Sequence, residues 1–362
     1  GSPASAGPYA AATSTSGPAA QFTPSKVVSS LADVSGLNLP GLASAPEPGL
    51  VRHIRLWDSG VTWAQVEKRP GVYDWSRLDA MVDWTERTGS SLMLVIGPGP
   101  KFYSRTGTEL SSVPGSSIVP PRTLTPWIRY VTAVVTRYRG RIDSYEPWNE
   151  VNLGMFYGGT PAQMAAMTRA LKIVVDRIDP RAMVTSASVT PSSQYSRRLA
   201  ALHLRALAAL GWPVDVHNTH VYSTIGTGVQ GARVNSAWYL HMLRRLRAPA
   251  RPVWATEVNL NEAPSLPLDA EQTRAAMMRV TVDAMLLGIS RVYWYAWLAD
   301  LTNLPVKIWP GSPGENVLRS WSTAGRWRLA GCRASATYLC RFRTLDGARR
   351  TVAVPAVVMS TG

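Results

Sequence analysis

Ile142-Asp143-Ser144-Tyr145-Glu146-Pro147-Trp148-Asn149-Glu150 runs through apolar and aromatic residues into a glutamate, and Val253-Trp254-Ala255-Thr256-Glu257 repeats the pattern in the second half of the chain. Each reads as a buried strand, Ile142–Trp148 in the first case, that delivers a carboxylate at its C-terminal end. Working outward, apolar runs of the same kind occur at Val51–Trp57, Ser91–Ile96, Ala182–Ala187, Pro213–Thr219, Arg251–Thr256 and Ser290–Ala296, with an earlier strand expected near Leu37–Pro40. Segments with helical spacing separate them: Leu78–Thr88, Pro126–Tyr138, Pro161–Arg177, Ser196–Ala209, Val234–Arg247 and Ala270–Leu287. Strands alternating with helices predict an α/β fold with a parallel sheet. Eight such units over about 290 residues predict a (β/α)8 TIM barrel rather than an open doubly wound sheet. No Gly-x-Gly-x-x-Gly follows a strand, which removes the main support for a dinucleotide-binding fold.

Local punctuation agrees. Thr125-Pro126 and Thr160-Pro161 each place a capping residue before a proline suited to the first helical turn, and Gly140, Gly211 and Gly288 fall just past helix ends. Residues 1–22 are mostly Ala, Ser, Gly, Pro and Thr, a composition that predicts a flexible segment. The barrel is expected over 23–315. From 316 to 362 the pattern changes to a small β appendage, with strands at Arg326–Leu329, Thr337–Phe342 and Thr351–Val358 and a turn at Asp346-Gly347.

The chain has 362 residues, 46% hydrophobic and 17% charged, which suits a well-buried core. No apolar run reaches the roughly 18 residues of a membrane span. Lys and Arg number 38 against 23 Asp and Glu, a net charge of +15. The basic residues are scattered, with short clusters at Arg197-Arg198, Arg244-Arg245 and Arg349-Arg350, and no nucleic-acid motif accompanies them. The expectation is no nucleic-acid partner and a general attraction to anionic envelope polymers. The two cysteines, Cys332 and Cys340, are spaced for a disulfide across a hairpin, the alternative being two unpaired thiols. A bridge implies an oxidising compartment, hence a secreted or cell-envelope protein. Gly1-Ser2 reads as an expression scar, so an export signal is expected to have been removed.

Two glutamates at the ends of the fourth and seventh strands share the C-terminal face of a barrel, where catalytic groups sit. Paired carboxylates flanking a glycosidic bond are what its hydrolysis requires. Burial beside Trp148 and Trp254 raises a carboxyl pKa as a proton donor needs, while Arg55, within Arg52–Trp57, keeps the other carboxylate ionised. The competing explanation is that Glu150 and Glu257 are capping or loop carboxylates paired with arginines.

Trp148-Asn149-Glu150 followed by Val151-Asn152, with Thr256-Glu257 three strands later, resembles the Asn-Glu and Glu pair of the large clan of retaining glycoside hydrolases on (β/α)8 barrels. Arg55-Leu56-Trp57-Asp58-Ser59-Gly60-Val61-Thr62-Trp63, with Gly71-Val72-Tyr73-Asp74-Trp75 and Leu78-Asp79, resembles glycoside hydrolase family 39 and related actinobacterial secreted enzymes. The resemblance spans about residues 45 to 300, and the β region after the barrel is similar too. It implies that Glu150 is the general acid/base, Glu257 the nucleophile of a double displacement, and Asn149 a partner of the sugar 2-hydroxyl. His220 and Tyr222, at the end of His217-Asn218-Thr219-His220-Val221-Tyr222, stand where clan members carry a residue that orients the nucleophile. A phenol there also lowers a carboxylate's pKa by donating to it.

His217 and His220 offer a metal-pair alternative, but no further His or Cys joins them and a three-residue offset on a strand separates their faces. No metal and no cofactor is expected, and His217 reads as a buried histidine. Trp294, Trp297, Trp57, Trp63 and Tyr157 are candidates for stacking on sugar rings, whereas Trp75 and Trp84 read as core. The stretch Gly97-Pro98-Gly99-Pro100-Lys101-Phe102-Tyr103, with the Ser/Pro/Gly-rich segment to Arg122, matches no familiar pattern and is expected to shape one side of a cleft. The expected function is hydrolysis of a cell-envelope or plant polysaccharide, or of an oligosaccharide, by a monomer. The alternatives are a catalytically silent carbohydrate-binding barrel and an inverting glycosidase using the same carboxylates.

Overall fold

Eight parallel strands run in chain order around a barrel: β1 (Ser35–Asn38), β2 (His53–Leu56), β3 (Ser91–Val95), β4 (Ser144–Glu146), β5 (Met183–Val184), β6 (His217–Tyr222), β7 (Val253–Asn259) and β8 (Ile289–Trp294). Each pairs with its sequence neighbour, β8 pairs with β1, and bridges Thr185–Val216 and Val189–Thr219 join β5 to β6. The computed structural model describes residues 21–22, 30–106, 108–263, 268–323, 328–333, 337–343 and 347–355. Around the strands lie α1 (Ser76–Thr88), α2 (Thr125–Arg137), α3 (Pro161–Ile178), α4 (Gln194–Ala209), α5 (Gly228–Arg245), α6 (Ala270–Leu286) and α7 (Pro313–Thr323). The first unit carries no helix between β1 and β2. Pro40, Pro46 and Pro48 lie in that segment, and prolines this frequent leave no room for helical hydrogen bonding.

Thr160 caps α3 by accepting from the Gln163 amide, as expected, and Ser193 and Asp269 cap α4 and α6 in the same way. At α2 the cap position belongs to Leu124, so Thr125 is the first helical residue instead of the cap. Gly140, Gly211 and Gly288 adopt φ of +76°, +74° and +90°, where a glycine meets no steric penalty.

Strand alternation sorts side chains into two layers. Ile54, Leu56, Leu92, Leu94, Tyr145, Val292 and Trp294 join the apolar layer beneath the helices. Met93, Val216, Trp254 and Tyr293 form a separate cluster that fills the barrel interior. The Arg291 guanidinium lies 3.8 Å from the Trp254 ring centroid. Gly36 is fixed by this packing, because a Cβ there would stand 2.7 Å from Tyr293 Cδ1.

The unfamiliar stretch after β3 also has a packing explanation. Cβ atoms at Gly97 and Gly99 would meet the rings of Trp148 and Trp63 at 2.2 and 2.6 Å, so these glycines let two indoles pass under the chain. Beyond them Gly99–Pro100 pairs with Ser116–Ser117, and Leu110, Val113 and Ile118 bury themselves with Trp57. Trp75 and Trp84 pack, partly buried, against the main core.

The residue-316 boundary falls inside α7, which packs on α6. Beyond it β9 (Arg328–Arg333), β10 (Thr337–Arg343) and β11 (Arg349–Pro355) form an antiparallel sheet, joined at β9 by the two-residue strand Gln21–Phe22. The end of the segment expected to be flexible is therefore part of this sheet; residues 1–20 lie outside the described residues, as do Asp346 and parts of the expected strands at 326–327 and 356–358. Cys332 and Cys340 sit directly opposite one another on β9 and β10 and are disulfide-bonded. Leu329, Tyr338, Phe342 and Val354 share the barrel's core, and Arg279 of α6 stacks 3.4 Å from the Tyr338 ring centroid while donating to the Val354 carbonyl at 3.1 Å. No helix among the described residues is long and apolar enough to cross a membrane.

Candidate active site

Arg55 projects from β2 into the upper barrel interior and is fully buried. Its Nε and Nη2 donate to Glu146 Oε2 and Oε1 at 3.0 and 3.1 Å, a fork-to-fork pair. Its Nη1 donates to Glu257 Oε1 at 2.8 Å and to Asn38 Oδ1 at 2.9 Å, and its Nη2 to Asn149 Oδ1 at 2.8 Å. One guanidinium thus ties together side chains from β1, β2, β7 and the end of β4. Burial acts to lower the Arg55 pKa, but Glu146 and Glu257 outweigh it and hold the group above its ordinary value.

Glu257 lies within β7 rather than at its end, beside a register shift against β8. Its second oxygen, Oε2, accepts from the Tyr222 phenol at 2.6 Å. Burial raises its pKa, opposed by His220, Arg55 and the Tyr222 hydrogen bond, and reinforced by Glu150. The net direction is upward, so Arg55 only partly offsets burial.

Glu150 does not end β4. The strand stops at Glu146, and Glu150 sits in the following turn with φ +47°. Left-handed backbone costs a non-glycine residue about 1 kcal/mol or more, so the neighbouring structure must hold it. Its amide donates to Ser188 Oγ at 2.9 Å, the next amide to the Ser188 carbonyl at 3.0 Å, and the Thr190 hydroxyl donates to its Oε2. Asn152 holds the Thr190 segment by accepting from the Thr190 amide at 2.9 Å and donating to the Thr190 carbonyl at 3.0 Å. Burial pushes the Glu150 carboxyl up to about 7, with Glu146 adding and Arg55 opposing.

His220 lies between the two glutamates. Its Nδ1 is 3.3 Å from Glu257 Oε2 and 3.4 Å from Glu150 Oε2, while its Nε2 is 3.0 Å from Thr256 Oγ1. The Thr256 hydroxyl donates to Asn218 Oδ1 at 2.7 Å, and Asn218 is oriented by its amide donating to the Ser186 carbonyl at 3.1 Å. Thr256 therefore has only a lone pair for the imidazole, which fixes the ring proton on Nε2 and leaves Nδ1 bare toward the carboxylates. Burial holds the His220 pKa down at about 4, with Arg55 adding and Glu257 opposing. A neutral ring with a bare nitrogen facing two carboxyls is satisfied when a carboxyl proton lies between them, as the raised Glu150 pKa provides.

Glu150, His220 and Glu257 each place a ligand-type atom within 4.8 Å of the others. Both Glu257 oxygens already accept hydrogen bonds, and the Arg55 cation stands 2.8 Å from one of them, which disfavours a metal cation at this cluster. His217 takes no part: its Nε2 pairs with the Pro249 carbonyl at 3.0 Å and its ring packs edge-on to Trp212. Asn149 Nδ2 is buried and meets no acceptor at full hydrogen-bond geometry among the described residues, yet it lies close enough to the Glu150 carboxyl to lower its pKa.

The expected aromatic walls are more deeply buried than a stacking floor requires. Trp294 belongs to the layer beneath the helices, and Trp297 donates its indole N–H to the Ser44 carbonyl at 2.8 Å under the β1 loop. Trp57 packs edge-on to Phe156, Trp63 stacks on Tyr130, and Tyr157 donates to the Thr160 carbonyl at 2.6 Å. Tyr295, one residue beyond Trp294, instead donates to exposed Asp58 and interacts with Glu257. Sequence reasoning missed Glu146, Asn38, Thr190 and Thr256. Glu146 and Asn38 were accessible through alternation on β4 and β1, whereas Thr190 reaches the site through a loop with no local signature.

No protein-family model and no curated protein matches the chain in sequence. Solved structures match it in fold. A glucosidase from Croceicoccus marinus superposes with a TM-score of 0.64 at 14% identity, over 94% of this chain and 85% of that one. A family 39 glycoside hydrolase from Bacteroides cellulosilyticus WH2 gives 0.61 at 14% identity, over 87% and 69%. A monomeric β-xylosidase from Caulobacter crescentus CB15 gives 0.62 at 15% identity, over 88% and 73%. At these identities the likeness establishes the barrel architecture.

Proposed function

We propose that the chain is a retaining glycoside hydrolase that cleaves O-glycosidic bonds of a polysaccharide or oligosaccharide, with Glu150 as acid/base and Glu257 as nucleophile. The observation that carries this reading is the pair itself: carboxylate oxygens of the two residues within 4.8 Å of each other, in environments that differ. Carboxyl groups about 5–5.5 Å apart suit double displacement, whereas inversion needs roughly 6.5–9.5 Å to admit a water. Glu150, at about 7, holds a proton to give to the leaving oxygen. Glu257 accepts from Arg55 and Tyr222, which favour its ionised form and aim it.

In the first step Glu150 protonates the glycosidic oxygen while Glu257 attacks the anomeric carbon, forming a glycosyl ester and releasing the alcohol. In the second, Glu150 takes a proton from water, which displaces Glu257. The buried Asn149 amide, which meets no acceptor at full hydrogen-bond geometry, suits a sugar hydroxyl. The structural neighbours named above as a glucosidase, a family 39 glycoside hydrolase and a β-xylosidase lend the same support. The disulfide favours an oxidising compartment, which is compatible with a cell-envelope or plant polymer as substrate.

The test is a panel of aryl glycosides followed by trapping with a 2-fluoro sugar and mass spectrometry of the peptides. An adduct on Glu257, with turnover lost in Glu257→Gln, is expected. Inverted product stereochemistry overturns the double displacement, and absence of turnover across a broad panel favours the silent carbohydrate-binding barrel.

A further inference from the structure

The surplus positive charge is not evenly spread. Residues 316–362 carry eight arginines against one aspartate, Asp346, and so hold seven of the fifteen surplus charges. The C-terminal sheet organises them. Burial alternates along β9 and β10, with Leu329, Tyr338, Cys340 and Phe342 facing the barrel and Arg328, Arg333, Arg341 and Arg343 exposed. Arg349 of β11 is exposed too. The register sets Arg349 opposite Arg343 and Arg343 opposite Arg328, so three guanidinium-bearing positions form one row across three strands. Arg341 stands two residues further along β10, and Arg333 lies opposite exposed Leu339. The described residues of β9, β10 and β11 include no Asp or Glu, and none of these five arginines forms a salt bridge among the described residues.

Directly opposed like charges weaken a sheet. A row of three, with no carboxylate on the described residues of its strands, is the pattern of a face that meets its counter-charges on a ligand. We infer that the exposed face of this sheet binds an anionic polysaccharide chain through its carboxylates. Strands about 4.8 Å apart present the row as a track about 10 Å long, matched to a linear polymer. Each guanidinium can take a carboxylate through two parallel hydrogen bonds. Among the described residues, the exposed positions of this face offer no aromatic ring on which a nucleic-acid base can stack, and Leu339 is the large apolar side chain exposed there, too little for insertion into a lipid surface. The anion-binding face stands on the sheet alone; the choice of a polysaccharide among polyanions rests on the hydrolase reading of the barrel.

The test measures binding of the full chain to polygalacturonate, with dextran, single-stranded DNA and phosphatidylglycerol vesicles as comparisons. Two triple variants are used, Arg341→Ser/Arg343→Ser/Arg349→Ser and the same positions to lysine. The wild type is expected to bind polygalacturonate in a salt-sensitive manner and dextran not at all. The serine variant is expected to bind at least about tenfold more weakly, the lysine variant in between, with turnover of a small aryl glycoside unchanged in both. Binding needs no turnover, so inactivity of the barrel on every glycoside leaves this measurement intact. Equal polygalacturonate binding by the wild type and either variant overturns the proposal, as does equal or tighter wild-type binding to DNA or vesicles. If the serine variant unfolds, the lysine variant carries the same comparison.

Discussion

Arg55 and Glu146 meet through two hydrogen bonds of 3.0 and 3.1 Å with both side chains wholly removed from water. The pair anchors the upper barrel, since the same guanidinium also holds Asn38, Asn149 and Glu257. Removing Glu146 leaves Arg55 with Glu257 as its remaining counter-charge and weakens two charge-assisted hydrogen bonds, at a cost of about 2–3 kcal/mol. Glu146→Gln is therefore expected to lower unfolding free energy by that order in a urea titration. A loss below about 1 kcal/mol contradicts this account of the site.

Glu150 makes stability depend on pH. Its pKa is about 7 folded against an ordinary 4.5, so the folded state binds the proton more tightly. The stabilising contribution is full below 4.5 and is lost as pH rises through 7. The total lost is about 3 kcal/mol. Glu150→Gln cannot ionise, so its stability relative to the wild type is expected to improve between pH 4.5 and 8. A flat difference across that window rejects the raised pKa.

Thr190 donates its hydroxyl to Glu150 and so favours the ionised carboxylate. In Thr190→Val that support is absent and the Glu150 pKa rises further. The alkaline limb of the kcat/KM profile is expected to move to higher pH while the acidic limb stays in place. An unmoved alkaline limb removes Thr190 from the site's electrostatics.

The barrel and Glu257 were legible because both follow from period. Parallel strands buried on both faces read as apolar runs, and Arg55, Tyr222 and Glu257 fall at the strand positions where side chains enter the upper interior. What escaped notice was geometry without period. The turn that puts Glu150 at φ +47° depends on Ser188 and Thr190 in the next loop, and a register shift in β6 lies between Thr219 and His220. Tryptophan composition misled in the opposite direction. Trp294 alternates with Tyr293 and Tyr295, so the tyrosines face inward and the indole outward, although all three look alike as aromatic residues at a strand end.

Cys332 and Cys340 are separated by eight residues and face one another across β9 and β10. Closing so short a loop restricts the unfolded chain by about 2–3 kcal/mol at most. Replacing both cysteines by alanine is expected to destabilise the C-terminal sheet by that amount, seen as faster amide exchange in β10 and β11. Turnover at the barrel site is expected to be unchanged at temperatures where the sheet stays folded. A loss of activity without a loss of protection couples the sheet to the site through its packing on α6, where Arg279 stacks on Tyr338.

Tyr222 separates positioning from bulk. Its phenol donates to Glu257 Oε2 at 2.6 Å while Arg55 holds Oε1 at 2.8 Å, so the carboxylate is gripped from both sides. Burial, and then Glu257 itself, raise the phenol's pKa well above its ordinary value, which keeps it a donor throughout the working range. In Tyr222→Phe the ring remains and the hydrogen bond goes. The ionised form of Glu257 loses a donor, its pKa rises, and a smaller fraction is ionised at a given acidic pH. The acidic limb of the kcat/KM profile is therefore expected to shift upward, with kcat reduced about tenfold or more at neutral pH. Glycosyl-ester formation should slow in pre-steady-state burst measurements, because Glu257 is the group affected. An acidic limb that does not move, alongside an unchanged burst, means that the phenol packs against Glu257 without tuning it, and the assignment of the nucleophile's support then passes to Arg55 alone.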